Sequence, residues 1–165
     1  MSRDEVVNLV RALFDRSADN RLFLAAKLRD ENNESVLEEY RLRIEGEFSA
    51  TEPPRQPRLG TARKAIRDYH RATGDTDGAA ELMLTYVESG NRFSRSHGDM
   101  NASYYDSLGI VLRDLGEALR DAPPLYARLR PRLEALRRDS KRVGWSWGTY
   151  VAEVVDRLAN DLGGD

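Results

Sequence analysis

Glu88, His97, Asp99 and Asp106 are the residues of this chain whose types and closeness in sequence could do acid–base chemistry. A carboxylate or imidazole with a tuned pKa beside a reacting group is what proton transfer requires. All four belong to the stretch that runs from Leu82-Met83-Leu84-Thr85-Tyr86-Val87-Glu88-Ser89-Gly90-Asn91-Arg92-Phe93 through His97-Gly98-Asp99 to Tyr104-Tyr105, or lie next to it. A second reading needs no catalysis. Asp99 and Asn101 would cap the next helix, and His97 would sit on the last turn of the preceding one, where a partial negative charge favours it. Gly90 and Gly98 would then serve turns or close packing. Clustering in sequence is the only support for the catalytic reading. The structural reading is therefore preferred, and no catalytic residue is assigned.

Other chemistries find less. Without cysteine there are no disulfides, thiolate zinc sites or thiol nucleophiles. His70 and His97 do not take the spacing that puts two ligands on one helix face. Glu88, Asp99 and Asp106 could offer oxygen to magnesium or calcium, but no loop follows the calcium-binding pattern. Gly60 and Gly74 lack the lysine and hydroxyl of a phosphate loop. Gly144-Trp145-Ser146-Trp147-Gly148 matches the letters of a serine nucleophile elbow, yet that elbow needs a preceding strand, and here a basic helix precedes it. No metal and no cofactor are expected.

Two surfaces could bind a partner. Arg128, Arg130, Arg132, Arg137, Arg138, Lys141 and Arg142 end beside Trp145 and Trp147. Cations neutralise phosphates and indoles stack on bases, so this face could hold single-stranded nucleic acid. The plainer reading is a solvated face, with the tryptophans anchoring the last helix hairpin and Leu129, Leu133 and Leu136 forming a buried stripe. The second surface is a groove between helical pairs flanked by Tyr86, Glu88, Arg92, Tyr104 and Tyr105, of the kind that binds peptides or partner helices. Half-buried packing tyrosines are its alternative.

The elements that would position these residues are helical almost throughout. No strand-length alternation and no hairpin turn between such runs occurs. Ser2 and Glu5 form a capping-box pattern ahead of the stripe Val6, Leu9, Val10, Leu13 and Phe14. A second helix over about 19–30 points Leu22, Phe23, Ala26 and Leu28 inward, and Asn32-Asn33 ends it. A third, about 35–48, carries Val36, Tyr40, Ile44 and Phe48, with Leu37 beside them. Residues 49–60 contain Pro53, Pro54 and Pro57 and read as a linker. A helix over about 61–73 buries Ala62, Ala65, Ile66 and Tyr69 and stops at Gly74.

Asp75 caps a helix over about 76–96, whose stripe is Ala79, Leu82, Met83, Tyr86, Val87 and Phe93. Asn101 starts another, with Tyr105, Leu108, Val111, Leu112, Leu115 and Leu119 at helical spacing. Gly109 and Gly116 share a face of it and predict a close neighbour. Pro123-Pro124 opens the next, in which Pro131 predicts a kink or break within 124–142. The last helix points Tyr150, Val151, Val154, Val155, Leu158 and Leu162 inward. The sum is an all-α fold of about eight helices in stacked antiparallel hairpins, HEAT-like or bundle-like. Residues 1–48 form an N-terminal segment docked on the 61–165 body.

The order of motifs resembles an uncharacterised bacterial family of small all-helical proteins, a domain of unknown function. Arg63-Lys64-Ala65-Ile66, Leu82-Met83, Tyr86-Val87-Glu88-Ser89-Gly90 with Phe93, Gly98-Asp99, Tyr104-Tyr105-Asp106-Ser107-Leu108 and Gly144-Trp145 carry the likeness. The resemblance implies a fold and no established activity. Its Arg content departs from that family, with 23 Arg against 3 Lys.

With 165 residues, 40% apolar and 33% charged, the chain suits one folded domain. The net charge of −2 is segmented: residues 51–73 and 123–142 are basic, and the other segments acidic. Such blocks suit helices of opposite charge packed side by side. No signal peptide and no membrane-length apolar run is seen, which makes a cytoplasmic location the default expectation. The expectation for function is a non-catalytic protein-interaction or adaptor module. Nucleic-acid or phosphate binding by the 128–142 face and an enzyme pocket near Glu88 and Asp99 are the alternatives. Oligomeric state is not legible in the sequence.

Overall fold

The computed structural model describes residues 1–28, 34–49, 56–144 and 146–163. Ala26 and Leu28 as core side chains, the Asn32-Asn33 stop, Pro53-Pro54 and Trp145 lie outside the described side chains or residues. The described residues form eight helices and no strand: α1 (Arg3–Arg16), α2 (Ala18–Leu28), α3 (Glu34–Glu47), α4 (Leu59–Thr73), α5 (Thr76–His97), α6 (Ala102–Asp121), α7 (Pro123–Ser140) and α8 (Trp147–Leu162). None of them is long and apolar enough to cross a membrane.

The ends form where the chain supplies caps. Ser2 accepts from the Glu5 N–H while Glu5 reaches back to the Ser2 N–H. Asp75 accepts from the Gly78 N–H at 2.9 Å and Asn101 from the Tyr104 N–H at 3.0 Å. Asn101 alone caps α6. Asp99, expected to help, instead lies where any side chain on Gly144 would collide with its carboxylate. Gly74 takes the left-handed φ of 73° that ends α4.

α5 lies at the centre and packs on α3, α4, α6 and α7. Tyr40 against Tyr69 and Glu47 paired with Arg58 make α3 antiparallel to α4, while Arg41 near Glu81 and Phe48 against Tyr86 make it parallel to α5. α6 packs back along α5. α8 runs beside α6, with Tyr150 reaching the Gly109 carbonyl and Arg120 pairing with Asp161. The hairpins therefore close around one helix, as a bundle does. The expected stripes of α3, α4, α5 and α6 all face this core, with Leu37 and Met83 half-buried beside it. Each fully buried Leu of α6 contributes about 1.5–3 kcal/mol.

Four expectations need correction. α5 is buried on more than its stripe: Leu84, Thr85, Ser89, Asn91 and Ser94 are enclosed as well. Two of the hydroxyls stay satisfied on their own helix, Thr85 on the Glu81 carbonyl and Ser94 on the Asn91 carbonyl. Of the kink or break expected at Pro131 the break does not occur: α7 runs from Pro123 to Ser140, with Pro131 and Ala127, whose carbonyl would have met the missing N–H, both facing water. The neighbour expected at Gly109 and Gly116 is α8, but a Cβ there would meet nothing nearer than 3.4 Å, and the tighter approaches are elsewhere, at Gly90 against Leu108, Gly78 against Tyr69 and Gly148 against the Ser140 carbonyl. The α1 stripe is not core. Val6, Leu9, Val10, Leu13 and Phe14 are 40–50% exposed, as are Val7 beside them and Phe23 of α2.

Candidate functional site

Burial decides the fate of the tyrosine groove. Tyr86 is wholly enclosed, its ring edge-on to Phe48 with 5.3 Å between centroids and its hydroxyl 2.8 Å from Ser107 Oγ. Tyr104 is buried as well and donates to the Gly90 carbonyl at 2.8 Å. Desolvation pushes both phenols above their ordinary pKa, and at Tyr86 it outweighs the opposing Ser107 hydrogen bond and Arg63 charge. These tyrosines tie α5 to α6 and offer no face to a partner.

The other groups of that stretch are dispersed. Glu88 receives Arg132 of α7 in a two-pronged ion pair at 2.6 and 3.1 Å, and Arg132 also donates to Thr85. This pair locks α7 to α5. Arg92 is exposed, its guanidinium has no hydrogen bond or ion pair among the described residues, and it borders a shallow cavity of about 360 Å³ with Glu45, Ser89 and His97. His97 stacks on Phe93 at 4.1 Å and meets its carbonyl through Nδ1. Asp106 borders a different groove. Glu88, His97, Asp99 and Asp106 therefore do not converge, and among the described residues no group of acids and histidines could hold a metal ion.

Tyr105 is the one expected site tyrosine on a cavity wall. With Asp106, Ile110, Arg113, Trp147 and Tyr150 it lines a groove of about 590 Å³ between α6 and α8. The rings of Tyr104, Tyr105, Trp147 and Tyr150 follow one another with centroids 5.5, 6.1 and 6.2 Å apart. Trp147 is buried and donates from Nε1 to Asn91, so it is a core anchor rather than a stacking platform.

The basic face is largely spent on intramolecular pairs. Arg128 meets Glu81, Arg130 meets Glu134, Arg132 meets Glu88 and Arg137 meets Asp156. Three of these partners belong to α5 and α8, so the segmented charge of the sequence is spent between neighbouring helices. Arg138, Lys141 and Arg142 remain exposed and without an ion pair among the described residues.

The surface that composition alone did not reveal is apolar. Of the other helices, α2 is the main one that α1 packs against. Six aliphatic or aromatic side chains of α1 stand at least 40% exposed. Phe14 continues this face into a groove of about 510 Å³ bordered by Leu22 and Ala25 of α2 and Leu42 and Arg43 of α3. An amphipathic pattern was visible in the sequence, but it cannot say whether the partner of a stripe belongs to the same chain.

Comparison with protein-family models, with curated proteins and with solved structures finds no match to this chain.

Proposed function

We propose that the protein is a non-catalytic interaction module whose docking face is the apolar side of α1, continued by Phe14 into the groove beside Leu22 and Leu42. The carrying observation is that Val6, Leu9, Val10 and Leu13, at helical spacing, keep 40–50% of their surface exposed although α1 packs on α2. A helix with such a stripe gains stability by burying it against another helix. Contiguous apolar surface of this kind on a folded chain marks an interaction site. The dispersal of Glu88, His97, Asp99 and Asp106 adds support, because acid–base chemistry needs such groups together.

Photo-cross-linking from α1 tests this reading. A photoreactive residue at position 13, on the stripe, is expected to give discrete adducts, and one at position 11, on the charged side, is not. Val6→Lys with Leu9→Lys should abolish the adducts from position 13 while the unfolding free energy changes by less than about 0.5 kcal/mol, the usual scale for surface sites. Equal labelling from both positions, or none, would overturn it.

A further inference from the structure

We infer that the occupant of the α1 face is a second copy of this chain, its α1 lying antiparallel across a two-fold axis. This rests on the interaction reading above and names its partner. The first argument is the spacing. Val6, Leu9, Val10 and Leu13 follow at intervals of 3, 1 and 3 residues, the same read in either direction. An antiparallel copy therefore brings Leu13 opposite Val6, and Val10 opposite Leu9, at matching heights. Two-fold pairing of the copies thus sets every residue of the stripe against an apolar one.

The second argument is charge. Glu5 and Arg16 are eleven residues apart, so they fall about 20° apart around the helix, on the same flank of the stripe and at its opposite ends. Two-fold pairing sets Glu5 of each copy beside Arg16 of the other, and each such pair occurs twice. Arg16 has no ion pair within its own chain among the described residues, and Glu5 engages only the backbone of Ser2. On that flank Glu5 and Arg16 are thus complementary between copies only when the two run in opposite directions.

Size is the third. At their exposures the α1 side chains and Leu42 hold on the order of 500 Å² of apolar surface, so a symmetric pair covers at most about 1,000 Å², at the lower edge of specific interfaces. Such an area gives a dimer that dissociates on dilution.

Sedimentation of the full chain across about 1–300 µM tests this, a range suited to an interface of that size. The expected result is a shift from one to two chain masses. Leu9→Glu should remain a single chain throughout, and Arg16→Glu, which leaves the Ser2–Glu5 cap intact, should weaken dimerisation at least about tenfold. Far-ultraviolet circular dichroism matching the parent would show that both variants keep their helices; if Leu9→Glu loses helix, Arg16→Glu carries the test.

Because the chain lacks cysteine, register can be read directly. Val10→Cys should form a disulfide-linked dimer on mild oxidation, and Val6→Cys should cross-link to Leu13→Cys in preference to itself. A single-chain mass at every concentration overturns the inference. So does a dimer indifferent to both substitutions, or a Val6→Cys chain that prefers itself. Should the chain stay single while position 13 still gives adducts with another protein, the interaction reading stands and only the self-pairing falls.

Discussion

Trp147 donates its indole N–H to Asn91 Oδ1 at 3.0 Å, and both side chains are only 3% exposed. This bond joins the start of α8 to the middle of α5, two elements separated by 56 positions. Asn91→Leu removes the acceptor and leaves the indole N–H buried without a partner. A loss of about 1–3 kcal/mol is expected, read by urea unfolding. Adding Trp147→Phe should cost less than the sum of the two single changes, because it removes the orphaned donor. Strict additivity would mean that the bond contributes nothing.

Gly90 and Gly116 should respond to alanine with opposite signs. Alanine gains up to about 1 kcal/mol over glycine within a helix. At Gly116 the new methyl would meet nothing nearer than 3.7 Å, so Gly116→Ala should stabilise the fold by about 0.5–1 kcal/mol. At Gly90 it would strike Leu108, which is wholly buried, and overpacking costs about 1–3 kcal/mol. Gly90→Ala should therefore lower the melting temperature, with Leu108→Val restoring part of the loss.

Asp19 makes the attachment of α2 depend on pH. The Arg43 guanidinium bonded to it holds its carboxyl below the usual carboxylate range, and Lys64 adds to this against a partial desolvation. A depressed folded-state value means that the contribution is present above the unfolded pKa of about 3.9 and lost as pH falls through the folded value. Asp19→Asn should cost up to about 1 kcal/mol at neutral pH, the scale for an exposed pair, and nothing once Asp19 is protonated. Melting temperatures of both proteins should accordingly converge once the pH has fallen below the folded-state pKa of Asp19.

The alkaline limit belongs to the tyrosines. Burial raises the pKa of Tyr40, Tyr69, Tyr86 and Tyr104, and the bond to Asp75 raises Tyr69 further. The fold then favours the neutral phenol, so stability is present below the unfolded pKa of about 10 and is lost as pH rises above it. Ultraviolet titration should show these four ionising together with the loss of helical signal. Ionisation of all seven tyrosines in the intact fold would contradict the enclosure of Tyr86 and Tyr104.

Local patterns carried much of this structure. Ser2 with Glu5, Asp75 and Asn101 announced helix starts by their own chemistry, and the stripes of α3, α4 and α6 announced their buried faces. Other features turned on neighbours distant in sequence. Tyr86 has the composition of a binding residue until Phe48 and Ser107 close over it. The stripes of α1 and α6 are of one kind, and only packing shows that the second is covered while the first is bare. Small polar residues hid the enclosure of α5, because Ser89 and Asn91 resemble surface residues until three dimensions surround them. Asp99 fits a capping pattern that Asn101 in fact fills.

The central position of α5 also sets the order in which backbone amides exchange with solvent. Helices α3, α4, α6 and α7 all lean on it, so its N–H groups open only when the whole bundle does, and they report the global unfolding free energy. The amides of α1, without a buried side chain beneath them, exchange through fraying alone. One molecule thus spans nearly the full range of opening energies, with its slowest clock in the middle and its fastest on the face offered to a partner.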